Sequence, residues 1–238
     1  MPGSTAPQQP RLTRSGIRSI IAQTLLMLAS FAVLFWSAGT LFWTNAWILV
    51  ALVSTYWIVS ETVLARVNPE TLNARGEVVK TGTKGFDKLG LVVVPLLTIC
   101  SMVVMGFDAV RFQWSHMPFW LTIVGVAITI PAFITGAWAM TVNKFFEWTA
   151  RIQKDRKQYV CTTGPYSVIR HPGYSGYIVT KIAYPLILGS WWAFVPEGTL
   201  LVIFIIRTAL EDRALQKELP GYKDYAQKVR YRLIPFVW

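Results

Sequence analysis

Four apolar runs, each near the roughly 20 residues an α-helix needs to cross hydrocarbon, constrain this chain most: Ser19 to Ala38, Ala46 to Leu64, Leu89 to Phe107 and Pro118 to Val142. A bilayer offers backbone groups no water, so runs of this length read as helices that pair their own N–H and C=O groups. A mean hydropathy of +0.43 and a charged fraction of 15% are too apolar for a soluble domain. The first run is too long for a signal-peptide core and lacks a small-residue cleavage site, so it reads as a retained span. Pro95, Pro131 and Gly136 mark places where these helices could bend.

Two shorter apolar segments follow, Gly173 to Leu188 and Thr199 to Ile206, joined by residues 189–198. Each is marginal as a span alone; together they read as a hairpin whose second helix starts near Pro196 and runs on toward Lys217. The expectation is an all-α, polytopic integral membrane helical bundle with about six membrane segments. Lys181 lies inside the first short segment, so that helix should face protein or water there. Three parts follow: residues 1–18, a Pro-, Gln-, Ser- and Thr-rich arm expected to be disordered; 19–142, a four-span scaffold; and 143–238, where the chemistry should lie. The polar stretch from Val67 to Lys88 reads as a loop with one short helix.

The net charge of +11 does not point to nucleic acid, because the basic residues lie between apolar runs rather than on a soluble face. With loops on alternate sides, one side collects Arg11, Arg14 and Arg18, five Lys/Arg from Arg66 to Lys88, six from Lys144 to Arg170 and seven from Arg207 onward. The other side holds only Arg111, which puts the N-terminus, the C-terminus and the 143–170 loop in the cytoplasm. Trp36, Trp43, Trp47, Trp114, Trp120, Trp191 and Trp192 then fall at the outer interface, as an aromatic belt. Cys100 and Cys161 lie at different depths and imply no disulfide. His116 and His171 are the only histidines, too few for a metal site without carboxylate help, so no metal is expected.

The stretch from Cys161 to Gly176, CTTGPYSVIRHPGYSG, concentrates turn-formers, aromatics and a cationic pair before an apolar run. Pro172 suits the first turn of a helix and His171 its N-cap; a helix opening at a membrane surface offers unpaired N–H groups that hold a carboxylate or phosphate. Arg170-His171-Pro172 also fits a plain cationic interface turn. Beyond the last apolar run come Arg207 and Glu211, four apart on one helical face, then Asp212. Arg207 reads equally as a snorkelling side chain or as half of a surface pair with Glu211. Tyr222 and Tyr225 suit a helix packed over the site as a lid, and Asn143 and Phe145 either a substrate entrance or a helix cap.

Taken in order, Gly-Pro-Tyr, Arg-His-Pro-Gly-Tyr-Ser-Gly, Arg-x-x-x-Glu-Asp-x-x-Leu, Pro-Gly-Tyr-x-x-Tyr and a closing Ile-Pro resemble the isoprenylcysteine carboxyl methyltransferase family and its phospholipid N-methyltransferase relatives. The likeness covers roughly Asn143 to Trp238; the first 140 residues share only their spans. It implies S-adenosylmethionine held at the cytoplasmic surface and a lipophilic or prenylated substrate entering from the bilayer lipids. The family's cofactor contacts fall on Gln153, on Gln158, Tyr159, Val160 and Cys161, on Tyr166, on His171, Pro172, Gly173 and Tyr174, and on Glu211. Its substrate-carboxylate arginine falls on Arg207; Arg170, Asp212, Tyr222, Tyr225 and Asn143 are further candidates. The chain departs from the pattern in having Asp212 where a second glutamate is usual, Gln-Tyr-Val-Cys for His-Val-Leu-Val, and a shorter loop around Gln153.

Methyl transfer from a sulfonium to an ionised carboxylate neutralises charge and needs no general base, so positioning and a dry site would carry the rate. An amine acceptor would need a deprotonating group, for which Glu211, Asp212 or His171 are candidates. The alternatives are therefore phospholipid or other amine N-methylation, an NADPH-dependent sterol-type reductase, or a non-enzymatic membrane transporter. A reductase would want a further basic cluster and a longer chain, and a transporter more charges deep in the spans than Lys181.

Overall fold

The computed structural model describes residues 11–238, and all its regular structure is helical. The helices are α1 Arg14–Ala38, α2 Thr44–Val67, α3 Pro69–Arg75, α4 Gly85–Gly106, α5 Phe119–Val142, α6 Pro172–Leu188, α7 Phe194–Glu218 and α8 Tyr222–Lys228. α1, α2, α4 with the wide π-helical turn Phe107–Arg111 that prolongs it, and α5 are long and apolar enough to cross a membrane. α6 has 17 residues, and the apolar part of α7 gives way to charge at Arg207, so the hairpin they form does not meet that measure.

The boundaries fall where local chemistry puts them. α1 stops where Gly39 takes a left-handed conformation (φ 75°) and donates to the carbonyls of Phe35 and Trp36. It starts at Arg14, so Arg14 to Arg18, read as arm, are helical; residues 1–10 of that arm lie outside the described residues. α3 opens on Pro69, the short helix expected between Val67 and Lys88. α4 begins at Gly85, a turn before its apolar run, which brings Asp87 into its first turn, where a carboxylate complements the helix dipole. Pro95 and Pro131 sit inside α4 and α5, which continue through them.

Side chains that half or more expose their surface, among them Leu25, Ile58, Leu96, Ile134 and Val202, clothe the bundle in the apolar surface that lipid requires. Trp36, Trp47, Trp114, Trp120, Trp191 and Trp192 are exposed at the end of the bundle that carries Arg111. Trp43 departs from the expected belt: it is buried with Leu34, Leu49, Met105 and Ile187 in the largest core cluster. α5 and α6 approach closely through small residues. A Cβ on Gly176 would meet the Ala132 carbonyl oxygen at 2.6 Å, and one on Gly125 the Ala183 carbonyl oxygen at 2.9 Å.

Buried polar groups lock the hairpin to the scaffold. Asp108, in the π turn, accepts from Ser115 Oγ (2.7 Å), Ser190 Oγ (2.6 Å) and the Trp192 amide (3.1 Å). Lys181 faces protein as expected, 3.3 Å from Glu197 on α7, whose other oxygen accepts from Ser101 Oγ on α4 at 2.6 Å. All three side chains are buried, which a bilayer-depth charge tolerates only when paired.

Candidate active site

Residues 143–161 form an irregular arm that closes over the ends of α6 and α7. Asn143 caps α5: its Oδ1 accepts from the Phe145 amide (3.0 Å) and its Nδ2 donates to Tyr166 Oη (2.9 Å). Gln153 is buried and pinned from both ends, Nε2 donating to the Phe145 carbonyl (2.7 Å) and Oε1 accepting from Arg156 (2.8 Å). The Gln153 amide donates to Gln158 Oε1 at 2.7 Å, so both glutamine side chains hold the arm's shape. Arg151 clamps it further, bonded to Glu147 and Asp155. The main-chain groups of Tyr159, Val160 and Cys161 bond to no other described residue, and they line a cleft.

α6 opens as its sequence predicts, with His171 at the N-cap and Pro172 at the first position. The Tyr174 amide returns to the His171 carbonyl at 3.1 Å, whereas the Gly173 amide has no partner among the described residues. A Cβ at 173 would stand 2.5 Å from the edge of the Phe146 ring, so any larger residue there would push that ring aside. Tyr174 Oη donates to Glu211 Oε2 at 2.5 Å, and the His171 ring stacks parallel to the Tyr174 ring, centroids 5.7 Å apart.

Asp212, fully buried, ties three helices together. It accepts both Nε and Nη2 of Arg170 (2.8 and 3.1 Å), Arg232 Nε (2.9 Å), Gln216 Nε2 (2.8 Å) and Tyr222 Oη (3.0 Å), with His171 Nε2 at 3.4 Å. Burial would raise its carboxyl, but the hydrogen bonds from His171, Arg232 and Arg170 prevail and hold it well below the usual carboxylate range. Arg170 also spends Nη1 on the carbonyls of Val229 (2.9 Å) and Arg230 (3.0 Å), capping α8. Tyr225 Oη donates to the Tyr166 carbonyl at 2.6 Å, so α8 closes over the cleft. Burial pushes the Tyr166, Tyr222 and Tyr225 phenols up and keeps them neutral, Tyr222 and Tyr225 as donors and Tyr166 as the acceptor from Asn143.

The resulting cleft has a cavity volume of about 110 Å³ and is open at its mouth. Of the residues expected there, Gln153, Gln158 to Cys161, Tyr166, Arg170, His171, Gly173, Tyr174, Glu211, Tyr222, Tyr225 and Asn143 line it; Pro172, Arg207 and Asp212 do not. Arg207 is not partnered with Glu211. Its guanidinium pairs with Asp87 (Nε to Oδ1 2.8 Å, Nη2 to Oδ2 3.0 Å) and donates from Nη2 to the Trp148 carbonyl at 2.7 Å. It rests 5.0 Å from the Tyr174 ring centroid. Asp87 also accepts from the Ala150 amide, so it fixes Arg207 and the arm together. Sequence reasoning missed Asp87, whose one signal was an acid just ahead of an apolar run, and it missed Lys84 and Phe146, which line the cleft.

Fold and site together define a helical membrane protein whose last third builds most of an open cleft. Residues 120–220 match the family model described as phospholipid methyltransferase. Probable protein-S-isoprenylcysteine O-methyltransferases of Oryza sativa, subspecies indica and japonica, are each 28% identical over 135 residues, covering 55% of this chain and 67% of the relative. A solved eukaryotic intramembrane Ras methyltransferase, isoprenylcysteine carboxyl methyltransferase, shares the fold with a TM-score of 0.53 at 18% identity, over 95% of this chain and 99% of that one. The chain is thus similar to the isoprenylcysteine carboxyl methyltransferase and phospholipid methyltransferase families, as its motifs suggested, and it has the fold of the former.

Proposed function

We propose that this protein is an integral membrane methyltransferase that uses S-adenosylmethionine to methylate the carboxylate of an isoprenylcysteine-like or similarly lipophilic substrate. The observation that carries this is the meeting, in one cleft, of the 153–161 arm, the start of α6 and Glu211, all within or beside the family-matching segment. Bound S-adenosylmethionine would supply an electrophilic methyl group on a sulfonium. The donor set suits it: Glu211 Oε1 has no partner among the described residues and could accept from an ammonium or ribose hydroxyls. The unpartnered Gly173 amide at the helix start suits a carboxylate. The unpaired main chain of Tyr159 to Cys161 suits the edge of an adenine.

Arg207 would orient the acceptor carboxylate. Asp87 and Trp148 hold Nε and Nη2, which leaves Nη1 to the substrate, and a planar fork held on two sides loses little entropy on binding. A carboxylate acceptor is ionised at neutral pH, so no residue need take a proton. The reading places the cleft on the cytoplasmic side, α6 and α7 as the fifth and sixth crossings, and 143–238 as the catalytic region on a 19–142 scaffold. The charge asymmetry between loops supports that orientation.

The phospholipid methyltransferase match favours amine methylation as the second reading, with Glu211 as the group to accept the proton. Methyl-labelled S-adenosylmethionine offered to the protein in detergent, with prenylcysteines and phosphatidylethanolamine as acceptors, separates the two. Label in a base-labile ester supports the first reading and label in the amine the second. Failure to bind the cofactor, with NADPH bound instead, would replace both with the reductase.

A further inference from the structure

The exposed apolar surface beyond α8 has no part in the cleft. Residues 230–238 fold into a tight hook in which the Arg232, Leu233 and Ile234 amides converge on the main-chain oxygen of Trp238 at 2.8, 2.9 and 3.3 Å. Leu233 is buried against Ile178 of α6 and Phe204 of α7, with Val94 of α4 alongside. Its neighbours point outward: Phe236 is 88% exposed, Val237 75% and Ile234 53%. Phe236 also has φ 66°, a left-handed conformation that a bulky residue rarely adopts and that is strained. The backbone is thus bent unfavourably to present an aromatic and two branched side chains to the surroundings.

We infer that this hook is an anchor that dips into the bilayer leaflet bordering the cleft, with Ile234, Phe236 and Val237 in the acyl-headgroup boundary. The depth of the hook's attachment supports this. Val94, Ile178 and Phe204, on which Leu233 sits, belong to the apolar stretches of α4, α6 and α7, and nearby Val92, Leu96 and Val202 are more than half exposed, as lipid-facing residues are. A tip attached at that level meets lipid before it meets water. Lys223, Lys228 and Arg230, exposed on the same terminal segment, are placed for lipid headgroups.

The anchor is stapled to the site. The Tyr231 and Arg232 carbonyls accept the Arg170 and His171 amides at 2.9 Å each, the Leu233 carbonyl accepts Ser175 Oγ at 2.7 Å, and Arg232 Nε reaches Asp212. The hook therefore sets the depth of the α6 start, and with it the mouth of the cleft, relative to the headgroups.

Spin labels at Ile234→Cys, Phe236→Cys and Val237→Cys, with Lys228→Cys as an exposed polar control, test this in the full chain reconstituted into bilayers, in a Cys100→Ser, Cys161→Ser background. Collision with oxygen, which concentrates in lipid, should exceed collision with a water-soluble nickel chelate several-fold at the three tip positions, and the order should reverse at position 228. Chelate collision prevailing at 236 and 237 would show a water-exposed loop and overturn the anchor. So would low collision with both reagents, the sign of a tip covered by a second copy of the chain. The tip side chains are exposed, and the one ring contact the substitutions remove is that of Phe236 with Tyr231.

Discussion

Glu211 and Arg207 share a face of α7 by spacing, and the structure gives them different partners, which separates what their removal should do. Glu211 accepts from Tyr174 and keeps its second oxygen toward the cleft. Charge-assisted hydrogen bonds contribute roughly 1.5–3 kcal/mol, so Glu211→Gln should weaken S-adenosylmethionine binding by about 10- to 100-fold. Tyr174→Phe, which only frees the carboxylate to wander, should cost less; equilibrium binding of labelled cofactor measures both. Arg207 is held by Asp87, so Asp87→Asn should lower the rate of transfer to a carboxylate while leaving cofactor affinity near the wild-type value. Breaking a buried pair by removing one partner costs about 3–5 kcal/mol, so the variant should also melt earlier. Arg207→Lys, which keeps the charge but loses the fork, should not restore transfer. The Arg207–Asp87 pair was illegible in the sequence because its members lie 120 residues apart and nothing in either local pattern names the other.

At the scale of elements, the sequence was most readable where a rule acts over a few residues. The apolar runs mark α1, α2, α4 and α5, the Pro172 signal marks the start of α6, and Gly39 ends α1 just past the first run. The starts of α1 and α4 were misjudged because helices extend past their apolar stretch wherever polar residues find partners, as Ser15 and Thr13 do on Asn73. The role of Asp212 could not be read either, since it depends on α6, α7, α8 and the terminal hook converging. Its carboxyl is held below its ordinary range, so ionised Asp212 contributes stability above the unfolded-state value near 3.9. That contribution is lost as the pH falls toward the lower folded-state value. The thermal unfolding midpoint in detergent should therefore show no pH dependence from Asp212 between pH 6 and 8, where its contribution is complete, and should fall below about pH 4. Asp212→Asn should lower the midpoint at neutral pH and flatten the acid limb.

For the molecule as a whole, charge and cleft make one connected claim. The end of the bundle that carries the arm, the α6 start and the polar end of α7 holds all the lysines and arginines except Arg111 and Lys181, and the opposite end holds Arg111 with Trp36, Trp47, Trp114, Trp120, Trp191 and Trp192 exposed. Translocating basic loops is disfavoured, so the cleft should face the cytoplasm, where soluble cofactor is supplied, while lipophilic substrate arrives sideways through the leaflet. Lys157 and Arg111 are both exposed and stand on opposite sides in this arrangement. In a Cys100→Ser, Cys161→Ser background, a membrane-impermeant maleimide added to intact cells should label Arg111→Cys at once and Lys157→Cys only after permeabilisation. The reverse pattern would leave the fold untouched but turn the cleft away from cytoplasmic cofactor, and the enzymatic reading would fall with it. Equal labelling of both positions in sealed cells would mean that the charge asymmetry does not orient the chain.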